Sequence, residues 1–163
     1  MDNILTNKLS AEISRQFNGD TFYSSNFDIV IKNIAAEDAV KKFSGFPNSV
    51  VEIVRHMTQW KIFCLRKLEG DAGFDIRDNT DEDWMRFANL DEKVWREILR
   101  KHETTNKDLA AKIKDLADSK LDQTVPGRDY SFFYLLMGII EHDVWHTMQI
   151  KFLKRLMQIP ENN

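Results

Sequence analysis

Apolar residues recur at helical spacing along most of the chain, and no stretch alternates apolar with polar over the length a strand requires. Leu5, Leu9, Ile13 and Phe17 fall four apart and predict a first helix over residues 4–18, ended by Gly19 and Asp20. FYSSNFDIVIKNI is mixed and fits a short helix or turn. AAEDAVKKF fits a helix, with Glu37 and Asp38 early and Lys41 and Lys42 late, as a helix dipole favours. GFPNS is a break: Pro47 restricts Phe46, and Asn48 or Ser49 can cap the next helix. SVVEIVRHMTQWKIFCLRKLEG then predicts a long helix with apolar positions at Val50, Ile53/Val54, Met57, Trp60/Ile62, Cys64/Leu65 and Leu68, closed by Gly70.

The polar segment DAGFDIRDNTDEDW is long enough for a functional loop covering one end of a bundle. Within it, Thr80 followed three residues later by Asp83 resembles a capping box for a short turn through Trp84. From Asp91, DEKVWREILRKHETTNKDLAAKIKDLADSKL predicts a further long helix whose buried stripe is Val94, Trp95, Ile98, Leu99, Leu109, Ile113 and Leu116. QTVPGRDY is the second strong break. SFFYLLMGIIEHDVWHTMQIKFLKRLMQI is the last helix, ended by Pro160. Three long amphipathic helices and a shorter first one predict an all-α four-helix bundle, a single domain over residues 1–163.

Composition narrows the function classes. With 163 residues the chain can bury a core without disulfides or a structural metal, and six glycines and three prolines are too few for a many-turned β architecture. The net charge of -3 and the lack of a basic stripe argue against a nucleic-acid partner. Lys151, Lys154 and Arg155 suit the end of a helix instead. One cysteine, Cys64, fits a reducing compartment and, as a free thiol on an apolar face, reads as packing. MDNILTNKLS lacks a signal-peptide pattern, and the longest apolar run, FFYLLMGII, stops at Glu141 short of the ~20 residues a membrane span needs. The expectation is a cytoplasmic protein without a membrane segment.

The candidate chemistry lies in three of the four histidines. His142 and His146 stand four apart, so their rings share one face with Cβ atoms ~6 Å apart, and turn neighbours Leu135, Ile139, Ile150 and Leu153 carry that face into the bundle. Gly138, one turn earlier, leaves room for a ligand or a neighbouring backbone. His56 sits on a similar face with Ile53, Trp60 and Phe63. Facing helices of bundles often build metal sites, and three neutral imidazoles leave coordination positions open. The ordinary alternative is a set of hydrogen-bonded core histidines, each needing its own partner. Glu52, four before His56, is a candidate fourth ligand, general base or acceptor for an imidazole N–H, with a plain helix acid as the alternative. Gln149 is placed to orient a ligand or hold a water. His102, among charges, reads as a surface residue, as do Glu141 and Asp143. Trp60, Trp84, Trp95 and Trp145 read as core aromatics, with Trp60 and Trp145 placed to wall a pocket.

SVVEIVRHMTQW and GIIEHDVWHTMQIKFLKRL, taken together, resemble the second- and fourth-helix histidine motifs of the DinB-like superfamily, which includes YfiT-like proteins. EGDAGFDIRDNTDEDW and VPGRDYSF extend the likeness over most of the chain. The resemblance implies a four-helix bundle, often a homodimer, holding zinc or nickel on His56, His142 and His146. It also implies a metal-dependent transferase or isomerase that uses a low-molecular-weight thiol and a small-molecule substrate. A coordinated thiol loses its proton readily, which fits that chemistry. Two further readings stand beside it: a bundle with a purely structural ion, and metal-assisted hydrolysis with Glu52 as base. The chain departs from the commonest fourth-helix form, which has tyrosine before the second histidine and Ala-Gly before the glutamine; Trp145, Thr147 and Met148 stand there instead.

Overall fold

A computed structural model describes residues 3–160. The described chain is all-α. Its helices are α1 (Ile4–Asn18), α2 (Phe27–Ile31), α3 (Ala36–Ala39), α4 (Val50–Leu68), α5 (Glu92–Lys114) and α6 (Phe132–Leu156), with a 3-10 turn at Asp118–Lys120. The four long helices pack side by side: α4 lies against α5 and α6, and α1 lies against the same two.

The core is divided in two. One apolar cluster joins Leu9 and Ile13 of α1, Phe63 and Leu68 of α4, Leu109 and Ile113 of α5, and Phe132–Ile140 positions of α6. The other joins the first half of α4 (Val50–Met57) with Trp95 of α5, Ile150 and Leu153 of α6, and the short α2 and α3. Chain direction is set by these memberships. Helices α4 and α5 both run from the second cluster toward the first, while α6 runs the opposite way. Two successive helices of the same sense need a crossover, so residues 69–91 must travel back along the bundle. They do: Phe74 and Ile76 pack on the first cluster, and Trp84, Phe87 and Leu90 on the second.

Between the clusters lies a belt of buried polar side chains. Lys61 of α4 is fully buried and its ammonium pairs with the Asp143 carboxylate of α6. Burial pushes the Asp143 carboxyl above its ordinary range, and the Lys61 charge opposes that. Thr58 Oγ donates to the Val54 carbonyl at 2.7 Å and lies 2.9 Å from His102 Nδ1. His102 is packed on Phe27, ring centroids 4.4 Å apart. The expectation that His102 and Asp143 lie on the surface is therefore corrected. His102 falls seven residues from both Trp95 and Leu109, and Asp143 falls three before His146 and four after Ile139, which are buried-face spacings.

Other expectations change at helix ends. Helix α5 stops at Lys114 rather than running to Leu121, because the turn beyond it lets the Asp118 carboxylate accept the Leu5 and Thr6 backbone N–H groups at 2.9–3.1 Å. Asp118 thus caps α1, which needs an acceptor at its N-terminus. Val94 is exposed rather than part of the buried stripe, and so is Trp145, which sits on the outer side of α6. AAEDAVKKF forms only one turn of helix, Ala36–Ala39. At the start of α4, Glu52 Oε2 accepts the Ser49 N–H at 3.0 Å, the reach-back arm of a capping box.

Removing one member of the buried pair strands the other. Lys61→Met is expected to cost about 3–5 kcal/mol in urea unfolding, and Lys61→Met/Asp143→Leu to recover most of that loss. A single mutant within ~1 kcal/mol of the parent would show the pair to be energetically idle.

Candidate metal centre

The three histidines meet at the height of the polar belt. His56 comes from α4 and His142 and His146 from α6. One ligand atom from each lies within 4.8 Å of the others. His142 Nε2 is 2.8 Å from His56 Nε2. The His142 and His146 ring centroids are 4.3 Å apart, and each lies 4.8 Å from the His56 ring.

The outer nitrogens decide which inner ones carry lone pairs. His56 Nδ1 faces Asp83 Oδ1 at 2.7 Å and the Asp83 carbonyl at 3.4 Å. An ionised carboxylate and a carbonyl only accept, so the proton sits on Nδ1 and Nε2 is free to bind. His146 Nδ1 lies 2.6 Å from Gln149 Oε1, one turn along the same helix, and the same argument frees its Nε2. Gln149 thus orients a ring, one of the two roles its spacing predicts. His142 differs: its Nδ1 is buried without a protein partner.

All three rings are held neutral. Burial, then the neighbouring rings His146 and His56, push His142 down to about 2. Burial and His56 push His146 down to about 4, against the pull of Gln149. Burial lowers His56 as well, although Asp83 opposes it. Neutral imidazole is the form that binds a metal. Zn–N bonds of about 2.0–2.1 Å put the nitrogens of a tetrahedral site roughly 3–3.5 Å apart, so to hold an ion the 2.8 Å His56–His142 contact would have to widen and the widest separation, up to 4.8 Å, to close, both within reach of side-chain rotation. Among the described residues no other histidine, cysteine or acid joins the group.

Aromatic rings wall the site. Trp84 stacks on His56 with centroids 3.8 Å apart and planes 8° from parallel. Trp60 lies edge-on to His56 and donates its Nε1–H to Asp83 Oδ1 at 3.1 Å. Beyond His142 opens a cavity of about 230 Å³ bounded by Trp60, Tyr130, Tyr134 and Gly138. A Cβ at Gly138 would meet nothing within 4 Å, so the room expected there exists. Trp60 walls this cavity as expected. Trp145 does not; it borders a separate groove of about 410 Å³ with Phe22 and Tyr23.

Glu52 has a different setting from the rings. Its Oε2 is engaged by the Ser49 N–H, by Lys42 at 2.6 Å and by Arg86 at 3.2 Å. Burial pushes the carboxyl up, but the Lys42 and Ser49 hydrogen bonds and the two cations together hold it below its ordinary range. The carboxylate touching a histidine is Asp83. Its segment is legible as a turn, and the Thr80-to-Asp83 spacing predicts a cap. The turn forms, with the Asp83 and Trp84 N–H groups bonded to the Thr80 carbonyl. The Asp83 side chain, however, accepts from Asn79 N–H at 3.1 Å and turns toward His56 and Trp60.

A helical core that presents three neutral imidazoles beside an apolar cavity is an arrangement that could hold a metal ion. A family profile of the DinB superfamily matches residues 24–150, and the chain belongs to that superfamily, whose members are often metal-binding. No curated protein and no solved structure gives a significant match.

Because the three rings titrate lower when folded than the ~6.5 of an unfolded histidine, the unfolded chain binds their protons first. Stability is complete above that value and is lost as pH falls. Metal-free protein should lose up to roughly 1.4 kcal/mol per pH unit for each ring below pH ~6.5, the His146 contribution ending near pH 4 and that of His142 near pH 2. Urea midpoints at pH 7.5, 6 and 5 in chelator measure this; a flat profile would contradict buried neutral rings.

Proposed function

We propose that His56, His142 and His146 hold one divalent transition ion, zinc or nickel. In this reading the protein transfers a low-molecular-weight thiol to a small electrophile. The observation that carries the reading is the convergence of three neutral imidazoles, two of them with inner lone pairs fixed by Asp83 and Gln149, next to a cavity. An ion bound there supplies Lewis acidity, lowering the pKa of a thiol or water so that the anion is available near neutral pH.

The chain's own residues define the rest. Its single thiol, Cys64, is buried and pushed up to about 12 by burial, so the nucleophile comes from a cosubstrate. Trp60, Tyr130 and Tyr134 give the cavity an aromatic lining suited to the apolar part of an uncharged electrophile. Hydrolysis with Glu52 as base is less well supported, since two cations and a helix N-terminus hold its Oε2 and no histidine contacts the group. Capping α4, and so steadying the helix that carries His56, is the role its contacts favour.

Among the described residues no helix is long and apolar enough to cross a membrane. With its one cysteine free and buried, the protein fits a cytoplasmic setting. We place a homodimer contact on the outer side of α6. Trp145, Phe152 and Leu156 are all exposed there and fall at seven- and four-residue steps on one face.

Elemental analysis of untagged protein should find about one transition ion per chain, and none in His146→Ala. That variant should stay folded and lose thiol conjugation. Full stability and activity in metal-free protein would sink the proposal, and unfolding of His146→Ala on metal loss would favour a structural ion. Gly138→Met should raise KM for bulky electrophiles while leaving metal content unchanged. For the dimer, sedimentation should show a two-chain species that Trp145→Glu converts to one chain; a monomeric parent would refute the contact.

A further inference from the structure

We propose that Asp83, delivered by the crossover segment, is the positioning residue for His56, fixing its tautomer and ring direction and strengthening it as a ligand. The inference rests on the metal reading above but concerns a residue that is not itself among the three converging ligands.

Four observations converge on it. Asp83 is buried, although it belongs to a segment whose neighbours Asp81 and Glu82 are exposed. Its carboxylate is aimed by two donors, Asn79 N–H on Oδ2 and Trp60 Nε1–H on Oδ1, each at 3.1 Å. Oδ1 also meets His56 Nδ1 at 2.7 Å. The next residue, Trp84, stacks flat on the same imidazole, so one turn of chain controls both the proton and the plane of the ring. An acceptor on the outer nitrogen of a ligating histidine raises the basicity of the inner one, and loss of such a partner weakens metal binding about 10–100-fold.

The arrangement divides the three ligands by origin of support. His146 is oriented from within its own helix by Gln149, and His142 Nδ1 has no protein partner. His56 alone is oriented by a segment remote from its helix, 27 residues along the chain. The crossover is thereby coupled to the site: moving it away removes the acceptor and the stacked indole together.

The test uses the full chain stripped of metal and titrated with zinc ions against a chromophoric chelator. Asp83→Asn keeps the shape and an accepting oxygen but removes the charge; it should bind zinc about 10-fold more weakly, and Asp83→Ala up to about 100-fold. Asp81→Asn, with the same charge change on the same segment, should bind as the parent does. Cobalt(II)-loaded Asp83→Asn should show altered visible bands at saturation, a readout that a merely structural residue would not move. Because the Asn amide would set a donor against a buried N–H, the metal-free melting temperature of Asp83→Asn should fall by a few degrees, and zinc affinities are compared where both proteins are folded. Parent-like zinc affinity in Asp83→Asn overturns the positioning role while leaving the metal reading intact. A parent chain that binds no zinc, cobalt or nickel overturns both.

Discussion

The Lys61–Asp143 pair is the interaction on which the site depends. Taking two charges out of water costs several kcal/mol per ion, and their attraction offsets that cost only when the two helices stand in one relative register. A slip of α6 along α4 would separate the charges, whereas apolar contacts above and below would adjust to it. Asp143 directly follows His142, and Lys61 lies about one and a half turns after His56. The register that pairs the charges is therefore the register that brings the three imidazoles together. Specificity of this kind is a recognised use of a buried polar group, distinct from net stabilisation.

The polar belt and the crossover are linked consequences. Splitting the core into two apolar clusters leaves a mid-height layer where polar side chains need partners, and the described structure supplies most of them: Asp143 to Lys61, Thr58 to His102, Gln149 to His146. Running α4 and α5 in the same sense forces residues 69–91 back across that layer. A connection with no such duty would be short. This one brings Asp83 and Trp84 over His56, so topology and site chemistry share a single segment.

Much of this is legible in the sequence. The long helices arise from 3.6-residue periodicity punctuated by GFPNS and QTVPGRDY, and α1 and α4 end where Gly19 and Gly70 predict. Three of the histidines are identifiable because they interrupt apolar faces, and Gly138 because small residues leave space. Charge misleads where it suggests exposure. Asp143, His102 and Lys61 sit at buried-face spacings, but each is tolerated inside only because of a partner on another helix, which one helix's pattern does not display. Asp83 is hidden differently. Its role depends on a loop path set by helix direction, and direction emerges only when the clusters are known.

Glu52 and Asp83 show why proximity in sequence misdirects. Glu52 lies one turn from His56 on the same helix, which makes it the natural candidate for the carboxylate that serves that histidine. But a carboxylate three residues into a helix has a competing claim on it: the unpaired N–H groups and positive end of the dipole. Lys42 and Arg86 strengthen that claim, and the group settles at the helix end. The histidine is then served from outside its helix, by an acid with no dipole to answer and with two donors, Asn79 N–H and Trp60 Nε1–H, to aim it. The competition between capping a helix and orienting a ring for a single acid is resolved by giving each its own carboxylate.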